Sequence, residues 1–264
     1  MLCSCRIVVH STEHSFCYYS FSLTTFLHEA FRSALDYLDD NDIIDFNDFD
    51  QDNDGYIDAI TFLHSGYAAE WTGTDCVGSS YPNRIWSHKW ALFSPSAWVS
   101  KDGNVRVYNY HISPAVWRTS GDAIGRVGVI AHEMGHFLGL PDLYDTDRNG
   151  GSGLGSYGLM ANSWGFDNSQ YYPPHMSAWS KLKMGWITAQ TPSYGVNTIA
   201  NAEEETSETQ IYKIGDGQFG FPNDEYLLIE NRQPKSTDAN MPQGVLAIYH
   251  LDDTLVTDYH TAEY

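Results

Sequence analysis

The sequence predicts an α+β fold in two lobes, and three observations lead to that reading. Helical periodicity comes first: Leu27, Phe31, Ala34, Leu35 and Leu38 recur at three- and four-residue steps and form one apolar stripe over residues 26–38. Next are short β-like runs bounded by turn residues, at 56–64, 83–89 and 105–112 and again at 211–214, 225–231 and 245–250. The third is size. A chain of 264 residues, 42% hydrophobic and 14% aromatic, buries a substantial core as one domain in two lobes. The expected layout has a mixed sheet and a histidine-bearing helix above a cleft, with a second helix and a β-rich C-terminal part below.

Charge and composition exclude several classes of function. A formal net charge of -20 repels the phosphates of nucleic acid. No apolar run approaches the roughly 18 residues that cross a bilayer, so no membrane span is expected. The acidic balance fits a soluble protein that holds divalent cations outside a cell. Cys3, Cys5, Cys17 and Cys76 match neither a zinc cluster nor a dense disulfide framework, and one bridge from Cys76 is the most they suggest.

Taken in order, the first stripe reads as a packing helix opening at Thr24 or Thr25. An acidic stretch over 36–58 follows, without lysine or arginine. Within it Asp50, Asp52, Asp54 and Asp58 put side-chain oxygens at positions 1, 3, 5 and 9 of an EF-hand-like loop, with Gly55 at the sharp turn and the Tyr56 carbonyl at position 7. Such carboxylates repel one another unless a hard cation neutralises them, and calcium is the natural occupant. Position 12 is Thr61 instead of a bidentate glutamate, and the flanking helices are not both present. The reading is therefore a calcium staple feeding a strand at 56–64. The loop from Glu70 to Asp75 is another cation candidate, while His64 and His88 read as hydrogen-bonded structural groups. Lys101-Asp102-Gly103-Asn104 signals a hairpin turn into the run at 105–112. The edge of this sheet is expected above the cleft, where an extended peptide could add as a strand.

The most specific stretch is 129–142, which reads His-Glu-x-x-His-x-x-Gly-x-x-Asp. Its helix is expected to be capped by Ser120 or Asp122 and to run to Leu138, with Val127, Ile130, Ala131, Met134 and Leu138 on the buried face. Residues four apart share a helix face, so His132 and His136 can turn one imidazole nitrogen each toward a single ion. Glu133 sits about 100° round the helix, near enough to reach a metal-bound water without joining the ligands. Neutral imidazoles suit zinc, whose catalytic sites take three protein ligands and keep one position open. Gly139 can reverse the chain in the left-handed conformation and Pro141 stops the helix resuming, which brings back Asp142, or else Asp145 or Asp147. A glutamate from a later helix is not on offer, since none occurs between Glu133 and Glu203. Downstream, the glycine-rich run 155–162 presents Met160 as a Met-turn, the soft floor beneath the zinc of metzincin-type enzymes.

With those residues in hand, the chain resembles the immune inhibitor A-like family of secreted metalloproteases. The likeness rests on the run from His132 to Asp147 and extends to residues 85–90, 157–162, 174–186, 226–232 and 244–250, covering about 46–253. It implies a metzincin-like two-lobed zinc protease acting on protein or peptide substrates and secreted from the cell. It further implies that His132, His136 and Asp142 bind zinc and that Glu133 is the general base. The wider metzincin pattern has histidine as third ligand, so Asp142 departs from it. A rival reading is a catalytically inactive, cation-stabilised binding module or protease fragment, against which the intact Glu133 speaks.

The resulting organisation is an atypical N-terminal segment at 1–20, a catalytic domain at 21–188 and a β-rich continuation at 189–264. His10, Glu13 and His14 interrupt any apolar signal core, so the chain reads as incomplete at its start, and its end soon after a strand-like run suggests truncation there. Pro173-Pro174 is expected to introduce a helix at 175–183. The Glu203-Glu204-Glu205 run reads as a solvated loop, and Asp145 and Asp147 as holders of a further cation.

Overall fold

The computed structural model describes residues 21–93, 95–121, 123–144, 153–203 and 210–254. By contact these fall into two compact units, one ending at Arg126 and one beginning at Val127. Both mix helix with sheet, as the α+β reading requires. Cys3, Cys5, Cys17, Asp122, Asp145 and Asp147 lie outside the described residues, and Cys76 is an exposed free thiol.

In the first unit, helix α1 (Phe21–Asp40) extends the predicted stripe at both ends. It buries Phe31 and Leu35 against a three-stranded sheet of β1 (Thr61–His64), β2 (His88–Ala91) and β5 (Asn109–Pro114). The strand order is β1-β5-β2, with β1 parallel and β2 antiparallel to the central β5. This is the predicted mixed sheet. Phe31 stacks on Phe62 with centroids 4.0 Å apart and meets the edge of Tyr110; each such buried side chain contributes about 1.5–3 kcal/mol. Strands β3 (Trp98–Val99) and β4 (Arg106–Val107) pair antiparallel across the predicted Lys101–Asn104 turn. There Gly103 takes φ +77° and Asp102 Oδ1 accepts the Asn104 N–H.

Two predicted strands are shorter than expected. The run at 56–64 is strand only from Thr61, because Ile57 N–H turns aside to the Arg106 carbonyl and Asp58 N–H to that of Phe49. The run at 83–89 becomes strand only at His88, because Tyr81–Asn83 is a turn of 3₁₀ helix and the Ile85 carbonyl is taken by Ala69. Among the described residues, Glu70 and Asp75 join no cluster of metal-ligating groups: Glu70 accepts Ser87 N–H, and Asp75 accepts from Val77 and Ser79 within its own loop. His88 is the structural histidine expected, bonded through Nδ1 to the Trp86 carbonyl and through Nε2 to the Tyr110 hydroxyl. His64 differs, for its Nε2 is sealed from solvent with no hydrogen bond among the described residues.

The second unit holds α2 (Val127–Phe137), α3 (Ala178–Lys183) and an antiparallel sheet of β6 (Ile211–Gly215), β7 (Glu225–Arg232) and β8 (Val245–Asp252), in the order β6-β7-β8. Alternation along β7 buries Tyr226, Leu228, Glu230 and Arg232 on one face. Leu140, Met160, Trp179, Ile211, Leu228 and Tyr249 share one core. Helix α3 starts at Ala178, later than predicted, because the His175 N–H goes to Asp238 and Ser177 caps the Ser180 N–H. The histidine helix α2 thus groups with the later residues and not with the first sheet, as the layout read from sequence had it. It also begins later than Ser120. Ahead of it, Val116 bridges Ile124 and Gly125 N–H meets the Ala115 carbonyl.

Burial first, and the neighbouring His88 second, push the pKa of His64 down to about 4 from an ordinary 6.5. The folded protein therefore keeps His64 neutral while the unfolded chain protonates it. The stability this supplies is complete above pH 6.5 and is lost as pH falls toward 4, about 3 kcal/mol in all. Urea unfolding of the metal-free protein at pH 7 and pH 4.5 is expected to show a smaller acid loss in His64→Phe than in wild type; equal losses would contradict it.

Candidate metal centre

Helix α2 is short and is not held by an apolar stripe. Its buried residues are Gly128, His132, Glu133 and Gly135, while Val127 and Leu138, predicted to face inward, are 49% and 44% exposed. Ile130, Ala131 and Met134 are half-buried. The correction has a steric cause. A Cβ on Gly128 would lie 2.3 Å from the Ser163 carbonyl oxygen, and one on Gly135 would lie 2.3 Å from the Met160 sulfur. The helix approaches the 157–170 loop so closely that only glycine fits at the contact. Its N-terminal donors are satisfied by that loop as well: Gly128 N–H reaches the Gln170 carbonyl and Val129 N–H the Gln170 side-chain oxygen.

The C-terminus ends as the sequence predicts. Gly139 adopts φ +77°, with Leu140 N–H bonded to the Gly135 carbonyl and Gly139 N–H to that of His136, a Schellman ending. The turn does two things at once. It carries the chain back so that Asp142 faces the helix, and it aims the Leu140 carbonyl at His136 Nδ1, 2.8 Å away. On the other histidine, Nδ1 lies 3.0 Å from the Leu159 carbonyl. A carbonyl only accepts, so each Nδ1 carries the proton and each neutral ring keeps a lone pair on Nε2.

Those two Nε2 atoms converge on one carboxylate oxygen. Asp142 Oδ1 lies 3.0 Å from His132 Nε2 and 3.4 Å from His136 Nε2. It is sealed from solvent and has no hydrogen bond among the described residues. Three acceptor atoms facing one another in a buried place repel unless positive charge sits among them. Burial alone would lower the pKa of His132, yet Asp142 and Glu133 outweigh it and raise it. Protons can meet the same demand in place of a metal: burial alone would raise the pKa of Asp142, yet imidazoles that carry a proton on Nε2 and donate it to the carboxylate hold it well below the usual range. Two nitrogens and an oxygen with this demand for positive charge suit zinc, whose structural and catalytic sites use these donors.

Each predicted site residue can now be placed. The ligand atoms of His132, His136 and Asp142 lie within 4.8 Å of one another. Glu133 is buried beside His132 and stands outside that triad. Met160 is fully buried, its sulfur against Gly135 between the two histidines on α2. The loop holding it grips both arms of the site: the Leu159 carbonyl takes His132, and the Met160 carbonyl takes the Leu143 N–H, next to Asp142. Of the calcium candidates, Asp50, Asp52 and Asp54 gather their oxygens, while Asp58 does not join them.

Residues 23–187 match the immune inhibitor A peptidase M6 catalytic domain, well over half of the chain. The chain belongs to the immune inhibitor A peptidase family. It is 32% identical over 152 residues to "Immune inhibitor A" of Bacillus thuringiensis subsp. alesti, which covers 50% of this chain and 20% of that protein. It is 30% identical over 176 residues to "Pre-pro-metalloprotease PrtV" of Vibrio cholerae serotype O1, covering 58% of this chain and 18% of that protein. The chain therefore spans about a fifth of the length of these two relatives.

Sequence reasoning missed several groups that build this centre. Gln170 caps α2 from 42 residues beyond Gly128. Tyr144 donates its hydroxyl to Asp142 Oδ2 at 2.8 Å and lays its ring nearly parallel to His132, 21° between planes. A buried charge cluster braces the Met160 loop: Arg232 donates to the Tyr157 carbonyl and pairs with Glu230, Glu203 and Asp238, while Lys181 pairs with Glu230. Asp238 in turn accepts the His175 N–H, and the His175 carbonyl accepts from Leu159. Glu203, expected in a solvated run, is sealed here because Arg232 on the buried face of β7 demands countercharge. Burial first, then Asp238, push the Glu203 pKa up to about 7. The sequence signal for this cluster was two charged residues, Glu230 and Arg232, on the strand face that otherwise carries Tyr226 and Leu228.

Proposed function

We propose that this chain is a zinc-dependent endopeptidase that hydrolyses peptide bonds of protein substrates. The observation that carries the proposal is the convergence of His132 Nε2, His136 Nε2 and Asp142 Oδ1 beside a buried glutamate that is not among them. Zinc bound there would supply a Lewis acid, lowering the pKa of a coordinated water to about 7 and polarising a peptide carbonyl. The protein's own residues do the rest. The two imidazoles and Asp142 would hold the ion, three protein ligands being the number that leaves a catalytic zinc one position for water. Glu133, kept off the metal by its position on the helix, takes the proton of the attacking water and returns it to the leaving amine. The Leu159 and Leu140 carbonyls keep both imidazoles in the tautomer that binds metal.

Proteolysis and metal content separate these roles. Glu133→Gln is expected to retain wild-type zinc stoichiometry while kcat/KM on an unstructured protein falls about 10²–10⁴-fold, and His132→Ala is expected to lose the zinc itself. A Glu133→Gln protein with wild-type turnover would exclude the general-base role.

Calcium at the acidic loop is part of the same proposal. Asp50 accepts the Asp54 and Gly55 N–H groups, and Asp54 accepts that of Tyr56, so the carboxylates are oriented by backbone with Asn53 and Gly55 at positive φ. Calorimetric titration should register calcium binding in wild type and weaker binding in Asp52→Asn; no binding in wild type would reject it. Secretion completes the reading. It is supported by the words "pre-pro" in a relative's name, and no described helix is long and apolar enough to cross a membrane.

A further inference from the structure

The two oxygens of Asp142 have different surroundings. Oδ1 faces the imidazoles, sealed and without a hydrogen bond, and Oδ2 accepts the Tyr144 hydroxyl at 2.8 Å. A carboxylate free at both oxygens can take a metal bidentately, which raises its coordination number and occupies the position that a catalytic zinc keeps for water. We propose that Tyr144 is a positioning residue for the metal, whose hydroxyl holds Asp142 as a one-oxygen ligand and so keeps a coordination position free. This rests on the zinc site proposed above and assigns a further residue to it.

Three observations carry the assignment. Tyr144 stands two residues after Asp142 on the same returning segment, so donor and acceptor are placed by one piece of backbone. That segment is clamped, with Leu143 N–H on the Met160 carbonyl and the Leu143 carbonyl on Leu154 N–H. The ring is also aligned against the site: its centroid lies 6.2 Å from that of His132, with planes 21° apart. The hydrogen bond and the ring contact both belong to the metal centre. Outer partners of metal ligands tune affinity in this way, typically by 10–100-fold.

The test compares wild type, Tyr144→Phe and Tyr144→Leu, all folded by circular dichroism, in zinc affinity by chelator competition and in the visible spectrum of the cobalt(II)-substituted protein. The Phe variant keeps the ring and loses only the hydroxyl. The expected result is zinc binding weakened roughly 10–100-fold in both variants, with weaker cobalt d–d bands as the coordination number rises. At saturating zinc, kcat should fall with KM little changed. A Phe variant with wild-type zinc affinity and an unaltered cobalt spectrum would overturn the assignment, whatever the Leu variant does. Wild-type protein that takes up no zinc would instead remove the site itself, and this role with it.

Discussion

When the Nδ1–H of an imidazole is committed to a backbone carbonyl, its Nε2 is left with a lone pair that needs a proton donor or a cation. The second unit imposes that condition twice, through Leu159 on His132 and through Leu140 on His136. It then aims a third acceptor, Asp142 Oδ1, at both. Everything else in the unit can be understood as the scaffolding of this one unfavourable arrangement. The Schellman turn sets the Leu140 carbonyl and the return of Asp142, while the Met160 loop sets the Leu159 carbonyl and clamps Leu143. A metal ion converts the mutual repulsion of three acceptors into binding energy, which is how a folded protein stores affinity for an ion before meeting it.

The helix that carries the histidines is placed by proximity and not by hydrophobic area. Each glycine in a helix interior costs about 0.5–1 kcal/mol relative to alanine. Gly128 and Gly135 are nevertheless the residues at which α2 meets Ser163 and Met160. The cost is offset by the contacts that close approach permits, including the Gln170 cap and the fully buried thioether. Beneath the loop lies the cluster of Lys181, Glu203, Glu230, Arg232 and Asp238. Removing one member of such a buried set leaves an uncompensated charge, typically at a cost of about 3–5 kcal/mol. The cluster therefore ties the β6-β7-β8 sheet to the Met160 loop, and through Leu159 to His132.

What could be read from sequence was what depends on local spacing. The four-residue step from His132 to His136, the reversal at Gly139 and the return of Asp142 all lie within eleven residues, so geometry follows from order. The late strands β6, β7 and β8 were found within two residues because each is a short run of apolar, β-branched and aromatic residues. The misreadings share a different cause. Apolar residues of α2 were assigned to its buried face, but glycines occupy the tight contact. Ser120 or Asp122 was expected as the cap, but Gln170 accepts the first helical N–H groups from a distant loop. Glu203 was left in solvent because its partner, Arg232, is 29 residues away. Long-range polar contacts leave no periodic trace, and they are what finishes this centre.

The central claim is the ligand set, and zinc-edge X-ray absorption of the zinc-loaded protein addresses it directly. The account predicts two imidazole nitrogens and oxygen donors only, all at about 2.0–2.2 Å in a four-coordinate shell, with one ligand changed in Asp142→Asn. A third imidazole, a sulfur donor near 2.3 Å or a spectrum indifferent to Asp142 would contradict it.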